Sequence, residues 1–173
     1  MRRDDIQFYG TTDALRWALG ICARTGYVSP SISRMAGGSR PTAGGLTLLE
    51  QHGQAALIIS IVDSLHEVHQ AAIWFRAGIL PWDLMSAVAS VLAPQIIRQM
   101  GTGITNMRAV QMALLNYAGR RGNGQRAIGK ELGCSQSVGG NLVRDVADRM
   151  DALGALAESI VDDKMRERGI VSQ

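Results

Sequence analysis

Basic side chains are concentrated in one short segment of the sequence and carry its clearest chemical signal. The segment 120–143 contains four bases and one acid, Arg120, Arg121, Arg126, Lys130 and Glu131. Its net charge of +3 equals that of the whole chain, so the other residues are neutral in sum. Clustered guanidinium and ammonium groups bind phosphate, and arginine suits both phosphate and guanine. The four bases are therefore predicted to contact the phosphates of double-stranded DNA.

The residues that follow this cluster have side chains that suit the edges of bases. Gln136, Ser137, Asn141 and Arg144 lie on the exposed face at the start of a predicted helix. Amide side chains pair well with adenine, and arginine pairs well with guanine in the major groove. If this helix enters a groove, these four side chains are the candidates for contacting bases.

The elements that would position these side chains follow the pattern of a helix-turn-helix. The pattern predicts three consecutive helices. Asn123 is expected to cap the second, a short helix from Gln125 to Leu132, and a three-residue break separates this helix from the third. In this pattern Gly133 takes a positive φ in the turn, and Gly129 leaves room for the third helix.

Other positions of the pattern have packing or capping roles. Ile128, Leu132 and Leu142 are predicted to meet in the core. Cys134 is expected to fill apolar space after the turn, and Ser135 to cap the third helix. A helical hairpin that never meets DNA would share these features, but the basic cluster favours DNA binding.

One position departs from the pattern. Gly139 stands where such motifs usually carry Val or Ile, and Gly139 and Gly140 each cost roughly 1 kcal/mol inside a helix. Two explanations stay open: Val138 supplies the missing apolar contact, or the start of the helix becomes ordered only on a partner.

The third helix is predicted to be longer than a DNA-binding helix-turn-helix requires. Its apolar residues recur every three or four positions up to about Arg168, which gives a rod of about 45 Å. This stripe consists of Val138, Leu142, Val146, Met150, Leu153, Leu156 and Ile160. Arg144 with Asp148 and Asp145 with Arg149 are spaced for ion pairs. The far part of the helix must pack on the N-terminal residues, on a second copy or on a larger assembly.

The rest of the sequence predicts an all-α protein. Hydrophobic residues make up 46% of the chain and aromatic residues only 5%, a composition that favours helices in a globular fold. A helix capped by Thr12 is expected to reach Arg24. A second helical stretch from Thr47 to Ala77 is expected to break near Asp63.

Breaker residues interrupt these helices. Glycines, serines and prolines between Gly26 and Gly45 predict a long loop, whose length indicates a segment ordered by a partner. Pro94 is expected to kink or split a helix that starts near Pro81.

The clearest boundary in the chain is Gly101-Thr-Gly103. It divides the sequence into an N-terminal helical domain, residues 1–100, and a DNA-binding module, residues 104–173. Thr105 is expected to cap the first helix of the module.

The sequence gives little support to an enzyme, a metal site or a membrane span. His66 and His69 stand one turn apart beside Glu67, but only His52 and Cys22 could complete a metal site. No Walker motif, catalytic-triad spacing or carboxylate cluster is present, so we expect neither catalysis nor a cofactor. Apolar stretches are short or interrupted, and the few cysteines suit a reducing compartment, so a cytoplasmic protein is expected.

Part of the sequence is similar to a known family. The similarity lies in Ala113-Leu-Leu-Asn-Tyr117, a basic turn, Arg126-Ala-Ile-Gly-Lys-Glu-Leu-Gly-Cys-Ser135 and a long helix ending in Met150-Asp-Ala-Leu153. Weaker similarities upstream are Arg16-Trp17, Ser39-Arg40-Pro41, Leu65-His66-Glu67 and Trp74-Phe75 with Gly78. These residues resemble the Q-type late-gene transcription antiterminators of lambdoid bacteriophages, of the phage-21 kind. The helix-turn-helix of that family is akin to sigma-factor region 4.

The resemblance implies a transcription factor that acts sterically. Q-type proteins bind DNA overlapping the late promoter, load onto RNA polymerase halted at a sigma-dependent pause, and travel with it. At the RNA exit channel they narrow the path of the nascent RNA, so that terminator hairpins cannot form. The basic motif would then contact DNA, and the other helical surface would contact bacterial RNA polymerase and sigma factor in the host cytoplasm.

Two segments exceed what a DNA reader requires and are expected to contact polymerase. They are the loop from Gly26 to Gly45, with Arg34 and Arg40, and the far half of the last helix from Met150 to Arg168. Two alternatives stay open. One is a promoter-binding repressor or activator that self-associates on a palindrome, and the other is a phage DNA-packaging subunit, similar to a small terminase, that forms a ring.

Overall fold

The protein is all α-helical in the part that the computed structural model describes, which is residue 8 and residues 10–25, 48–77, 82–101, 106–119 and 122–171. These ranges hold seven helices and an isolated parallel bridge between Phe8 and Val171. The helices are α1 (Thr11–Thr25), α2 (Leu48–Asp63), α3 (Glu67–Ala77), α4 (Trp82–Met100), α5 (Met107–Tyr117), α6 (Gln125–Glu131) and α7 (Gln136–Glu167). The prediction of an all-α fold is confirmed.

The start of α1 differs from the prediction. The helix begins at Thr11, so Thr12 lies inside it and is not its cap. Both hydroxyls bind α7 instead: Thr11 Oγ1 donates to Asp162 Oδ1 at 3.0 Å, and Thr12 Oγ1 donates to Glu158 Oε1 at 3.4 Å. These bonds fasten the beginning of α1 to the far part of α7.

The predicted break near Asp63 is confirmed, and it separates α2 from α3. Gln70 of α3 stabilises the break, because its Nε2 donates to the carbonyl oxygens of Asp63 at 2.7 Å and Leu65 at 2.8 Å. A side-chain amide thus satisfies carbonyl groups that the end of α2 leaves without helical partners.

Of the predicted kink or split at Pro94, the split does not occur, because α4 runs through this residue as one helix. The proline removes one helical hydrogen bond, but Leu92, Ala93 and Ile96 around it are fully buried. Packing of this face on the core therefore outweighs the lost bond and keeps the helix whole.

α7 is the element around which the fold is organised. Its 32 residues make a rod of about 48 Å, in agreement with the predicted length. It packs against all six other helices, so the N-terminal helices are the partner of its far part. Lys164 of that far part, for example, donates from Nζ to Ser64 Oγ at 3.0 Å.

The buried face of α7 agrees with the predicted stripe at Leu142, Val146, Met150 and Leu153 and departs from it at three positions. Val138 and Leu156 are 42% and 54% exposed, and Ile160 is only partly buried. The buried positions are Gly139, Leu142, Val146, Met150, Leu153, Gly154, Ala157, Val161 and Met165. Small residues face the core where neighbours come close: a Cβ on Gly154 would lie 2.9 Å from Nη1 of Arg76.

One hydrophobic core extends to both sides of the predicted boundary at Gly101, which has a φ of +59°. α4 packs on α5 across it, and the division into residues 1–100 and 104–173 stays a prediction. Asn106 caps α5, because its side chain accepts from the amide of Ala109 at 2.9 Å. Thr105, the predicted cap, lies outside the described residues.

None of the helices in the described ranges is long and apolar enough to cross a membrane. The rings of His66 and His69 have centroids 6.3 Å apart. Within the same ranges, no group of three or more His, Cys, Asp or Glu side chains is placed to hold a metal ion.

Candidate nucleic-acid interface

The connection between α6 and α7 is the tight turn Leu132-Gly-Cys-Ser135. Gly133 has a φ of +65°, as predicted, and its amide donates to the carbonyl oxygen of Lys130 at 3.1 Å. The amide of Cys134 donates to the carbonyl oxygen of Gly129 at 2.8 Å. This pair of bonds is a Schellman motif, which ends α6 and turns the chain into α7.

Two glycines allow α6 and α7 to cross with their backbones in contact. A Cβ on Gly129 would lie 2.6 Å from the carbonyl oxygen of Ser135, so the predicted need for a small residue is confirmed. A Cβ on Gly139 would overlap the carbonyl oxygen of Gln125 and lie 2.7 Å from the amide nitrogen of Gly129. Glycine thus stands at position 139 because the two backbones touch there. Val138 is exposed, so it does not supply the apolar contact that Val or Ile usually makes at position 139.

Two predictions, the packing of Cys134 and the cap of α6, are wrong, and the predicted cap of α7 is correct in position only. Cys134 is exposed and fills no apolar space. Ser135 stands at the N-cap of α7, but its hydroxyl shares a hydrogen bond with Ser137 Oγ at 2.7 Å and caps no amide. Gly124, rather than Asn123, is the N-cap of α6. The amides at the start of α7 thus receive no side-chain cap.

The polar residues predicted to contact DNA are all exposed where the structure describes them. Arg126 and Lys130 lie one turn apart on α6, and the remaining four lie on the first turns of α7. These four are Gln136, Ser137, Asn141 and Arg144. Helical geometry places them within an arc of about 140° around the axis of α7. Arg120 and Arg121 lie outside the described residues, as do Arg34 and Arg40.

The helix starts in this region differ in charge from those of the N-terminal helices. The first turns of α1, α2 and α3 carry Asp13, Glu50 and Glu67, whereas the first turns of α5, α6 and α7 carry no acid. A helix N-terminus attracts anions, and the first turns of these three helices contribute no carboxylate of their own. The ion pairs predicted along α7, Arg144 with Asp148 and Asp145 with Arg149, are not formed among the described residues.

A polar cluster that the sequence did not indicate joins α5 to α7 and α3. Tyr117 donates to Asp151 Oδ1 at 2.6 Å, and its ring stacks on Phe75 with centroids 6.4 Å apart. Burial and the hydrogen bond to the Asp151 carboxylate raise the pKa of Tyr117 from 10.0 to about 12. Arg76 forms an ion pair with Glu158 at 3.2 Å beside this cluster. The end of α5 is therefore tied to the middle of α7.

No family model, curated protein or solved structure matches the chain.

Proposed function

We propose that the protein binds double-stranded DNA through a helix-turn-helix formed by α6 and the first turns of α7. The observation that supports this most directly is the crossing of the two helices at Gly129 and Gly139. Together with the turn at Gly133, this crossing fixes the direction in which the start of α7 projects. A helix held in this way can enter the major groove with its N-terminal residues against the bases.

The exposed side chains then divide into two roles. Gln136, Asn141 and Arg144, with the neighbouring Ser137, face outward from α7 and can reach base edges. The bases on α6, Arg126 and Lys130, are suited to phosphates on the flank of the groove, as are Arg120 and Arg121. Both roles require only hydrogen bonding and charge, so we propose a binding protein rather than an enzyme.

We further propose that this DNA binding serves transcription antitermination, which is what the resemblance to the Q-type proteins implies. In this proposal the protein loads from promoter DNA onto a paused RNA polymerase and obstructs the RNA exit channel. The inner face of the far half of α7 is occupied by the protein's own helices. A polymerase contact on α7 would therefore use its outer face, where Leu156 is 54% exposed.

Transcription in vitro tests both levels of the proposal. Purified bacterial RNA polymerase is allowed to transcribe through a terminator, from the promoter next to the protein's own DNA site and from an unrelated promoter. We expect the protein to bind the first template and to raise readthrough only there. Binding without readthrough would contradict antitermination and favour a repressor or activator. Absence of binding to any duplex would contradict the helix-turn-helix function itself.

A further inference from the structure

Arg108, in the first turn of α5, lies beside the turn of the proposed helix-turn-helix. Its Nε is 3.5 Å from Oε2 of Glu131, the last residue of α6. Asn106 Nδ2 donates to the carbonyl oxygen of the same glutamate at 3.4 Å. Two contacts therefore hold the start of α5 against the end of α6, just before the turn into α7.

The two members of this ion pair are unequally exposed. The side chain of Arg108 is 77% exposed, whereas that of Glu131 is 29% exposed. An ion pair with one member so exposed adds little to stability, so the fold does not need Arg108. Because the carboxylate approaches Nε, the outer N–H groups of the guanidinium are available to an acceptor outside the protein.

The charge around Glu131 also bears on DNA binding. Glu131 is the only acid in the segment 120–143, and it follows directly after Lys130. An unpaired carboxylate at this place would repel phosphate. Arg108, a residue from a different helix, neutralises it.

We propose that Arg108 is a further phosphate contact of the DNA-binding surface, one that lies outside the basic segment of the sequence. This inference rests on the proposed DNA-binding function. A phosphate group, with its several acceptor oxygens, suits the outward N–H groups of a guanidinium.

The salt dependence of DNA affinity tests this proposal in the full chain. Binding of a mixed-sequence duplex is followed by fluorescence anisotropy at several salt concentrations, for the parent and for Arg108→Ala. We expect the salt slope of the variant to fall by about one. The drop in affinity between about 50 and 200 mM salt should then be roughly threefold smaller than in the parent. The matched control, Arg168→Ala, removes the same charge at the far end of α7 and should behave like the parent.

Glu131→Gln separates a phosphate contact from simple neutralisation of the glutamate. If Arg108 contacts phosphate, Arg108→Ala lowers the affinity and the slope in the Glu131→Gln chain as well. If Arg108→Ala has no effect in that background, the arginine serves only to neutralise Glu131 and the proposal is overturned. Circular dichroism and the melting temperature report whether each variant folds like the parent.

Arg126→Ala distinguishes failure of this inference from failure of the proposed function. A parent chain that binds no duplex overturns both. A parent that binds and loses affinity on Arg126→Ala, but not on Arg108→Ala, overturns only the assignment of Arg108.

Discussion

Gly139 has no room for a side chain, and this has an energetic consequence. Inside a helix, replacing glycine by alanine normally stabilises a protein by about 1 kcal/mol. At this position the added Cβ would meet backbone atoms of Gln125 and Gly129, which cannot rotate away as a side chain can. Relief requires α6 to move off α7, so the usual sign of the substitution is reversed.

Gly139→Ala is expected to lower the free energy of unfolding by about 1–3 kcal/mol, the usual cost of overpacking. Two control variants have more space. A Cβ on Gly140 would lie 3.2 Å from Oε1 of Gln125, the end of a flexible side chain, and a Cβ on Gly53 has nothing within 4 Å. Gly140→Ala and Gly53→Ala should therefore be neutral or stabilising by up to about 1 kcal/mol. Urea denaturation compares the three; a gain for Gly139→Ala would refute the close crossing.

The basic side chains of the segment 120–143 should act on all DNA sequences alike. Replacing Arg120, Arg121, Arg126 and Lys130 together by Ala is expected to weaken binding to every duplex and to lower the salt slope by about four. Asn141→Ala, which removes a proposed base contact, should instead weaken binding to the preferred site only and leave the slope unchanged. A quadruple variant that binds as well as the parent at moderate salt would show that these bases do not contact phosphate.

Single residues were predictable where their role is local. The positive φ of Gly133 and the small size of Gly129 follow from the residue pattern of a helix-turn-helix, in which two adjacent helices meet at a tight turn. The exposure of Val138 was not predictable, because it depends on how α7 is rotated about its axis, and that of Cys134 was not, because it depends on how the turn lies against the two helices. At Val138 the rotation is set by the backbone contact of the neighbouring Gly139 with α6.

At the scale of the helices, the same distinction applies to α7. Its length was predictable from apolar spacing and from Gly169, which follows the helix with a φ of +67°. Its buried side was predictable only in part, because the predicted stripe is buried from Leu142 to Leu153, whereas Leu156 is exposed. Beyond Leu153 the buried positions continue through Gly154 and Ala157, and Arg76 of the distant α3 lies close to Gly154.

The link between α5 and α7 predicts a change in stability at alkaline pH. An unfolded chain ionises Tyr117 near pH 10, whereas the folded chain keeps the proton until about pH 12. The stability associated with this proton is complete below pH 10 and is lost as the pH rises to about 12. Tyr117→Phe should therefore show a smaller fall in the free energy of unfolding across this window.

Absorbance of the tyrosinate ion checks the same point directly. In the parent, Tyr117 should ionise near pH 12, and this transition should be absent from Tyr117→Phe. Parent and variant titrating alike, or losing stability alike, would contradict the raised pKa of Tyr117.

At the scale of the whole molecule, α7 joins the proposed DNA-binding end to the N-terminal helices through one core. The all-α class was predictable from composition and breakers. The arrangement of the helices was not, because bonds such as the one from Thr11 to Asp162 join residues 151 positions apart. The periodicity of the local sequence does not predict contacts between residues so far apart.

A protein that travels with RNA polymerase needs a surface that contacts the polymerase, which a protein that only binds DNA does not need. Arg34 and Arg40, changed together to Glu, are expected to leave DNA affinity nearly intact and to abolish terminator readthrough, because the change reverses the charge of the predicted loop that we propose as the polymerase contact. Arg16→Glu, a charge reversal on the exposed side of α1, should leave both unchanged. A gel shift and a readthrough assay on the same preparations provide the measurement. Full readthrough in the double variant would exclude the loop as the polymerase contact.

The unbroken course of α7 restricts how the length of this protein can vary. One residue inserted into a helix turns everything beyond it by about 100° and shifts it by about 1.5 Å. An insertion between Val146 and Leu153 would thus turn Gln136 and Asn141 away from their direction relative to the helices that hold the far end. An insertion of about seven residues would restore the rotation of the DNA-binding end about the helix axis to within about 20°. It would also move that end about 10 Å outward. Of the possible length changes in this helix, steps of about seven or eleven residues should therefore disturb the relative direction of its two ends least.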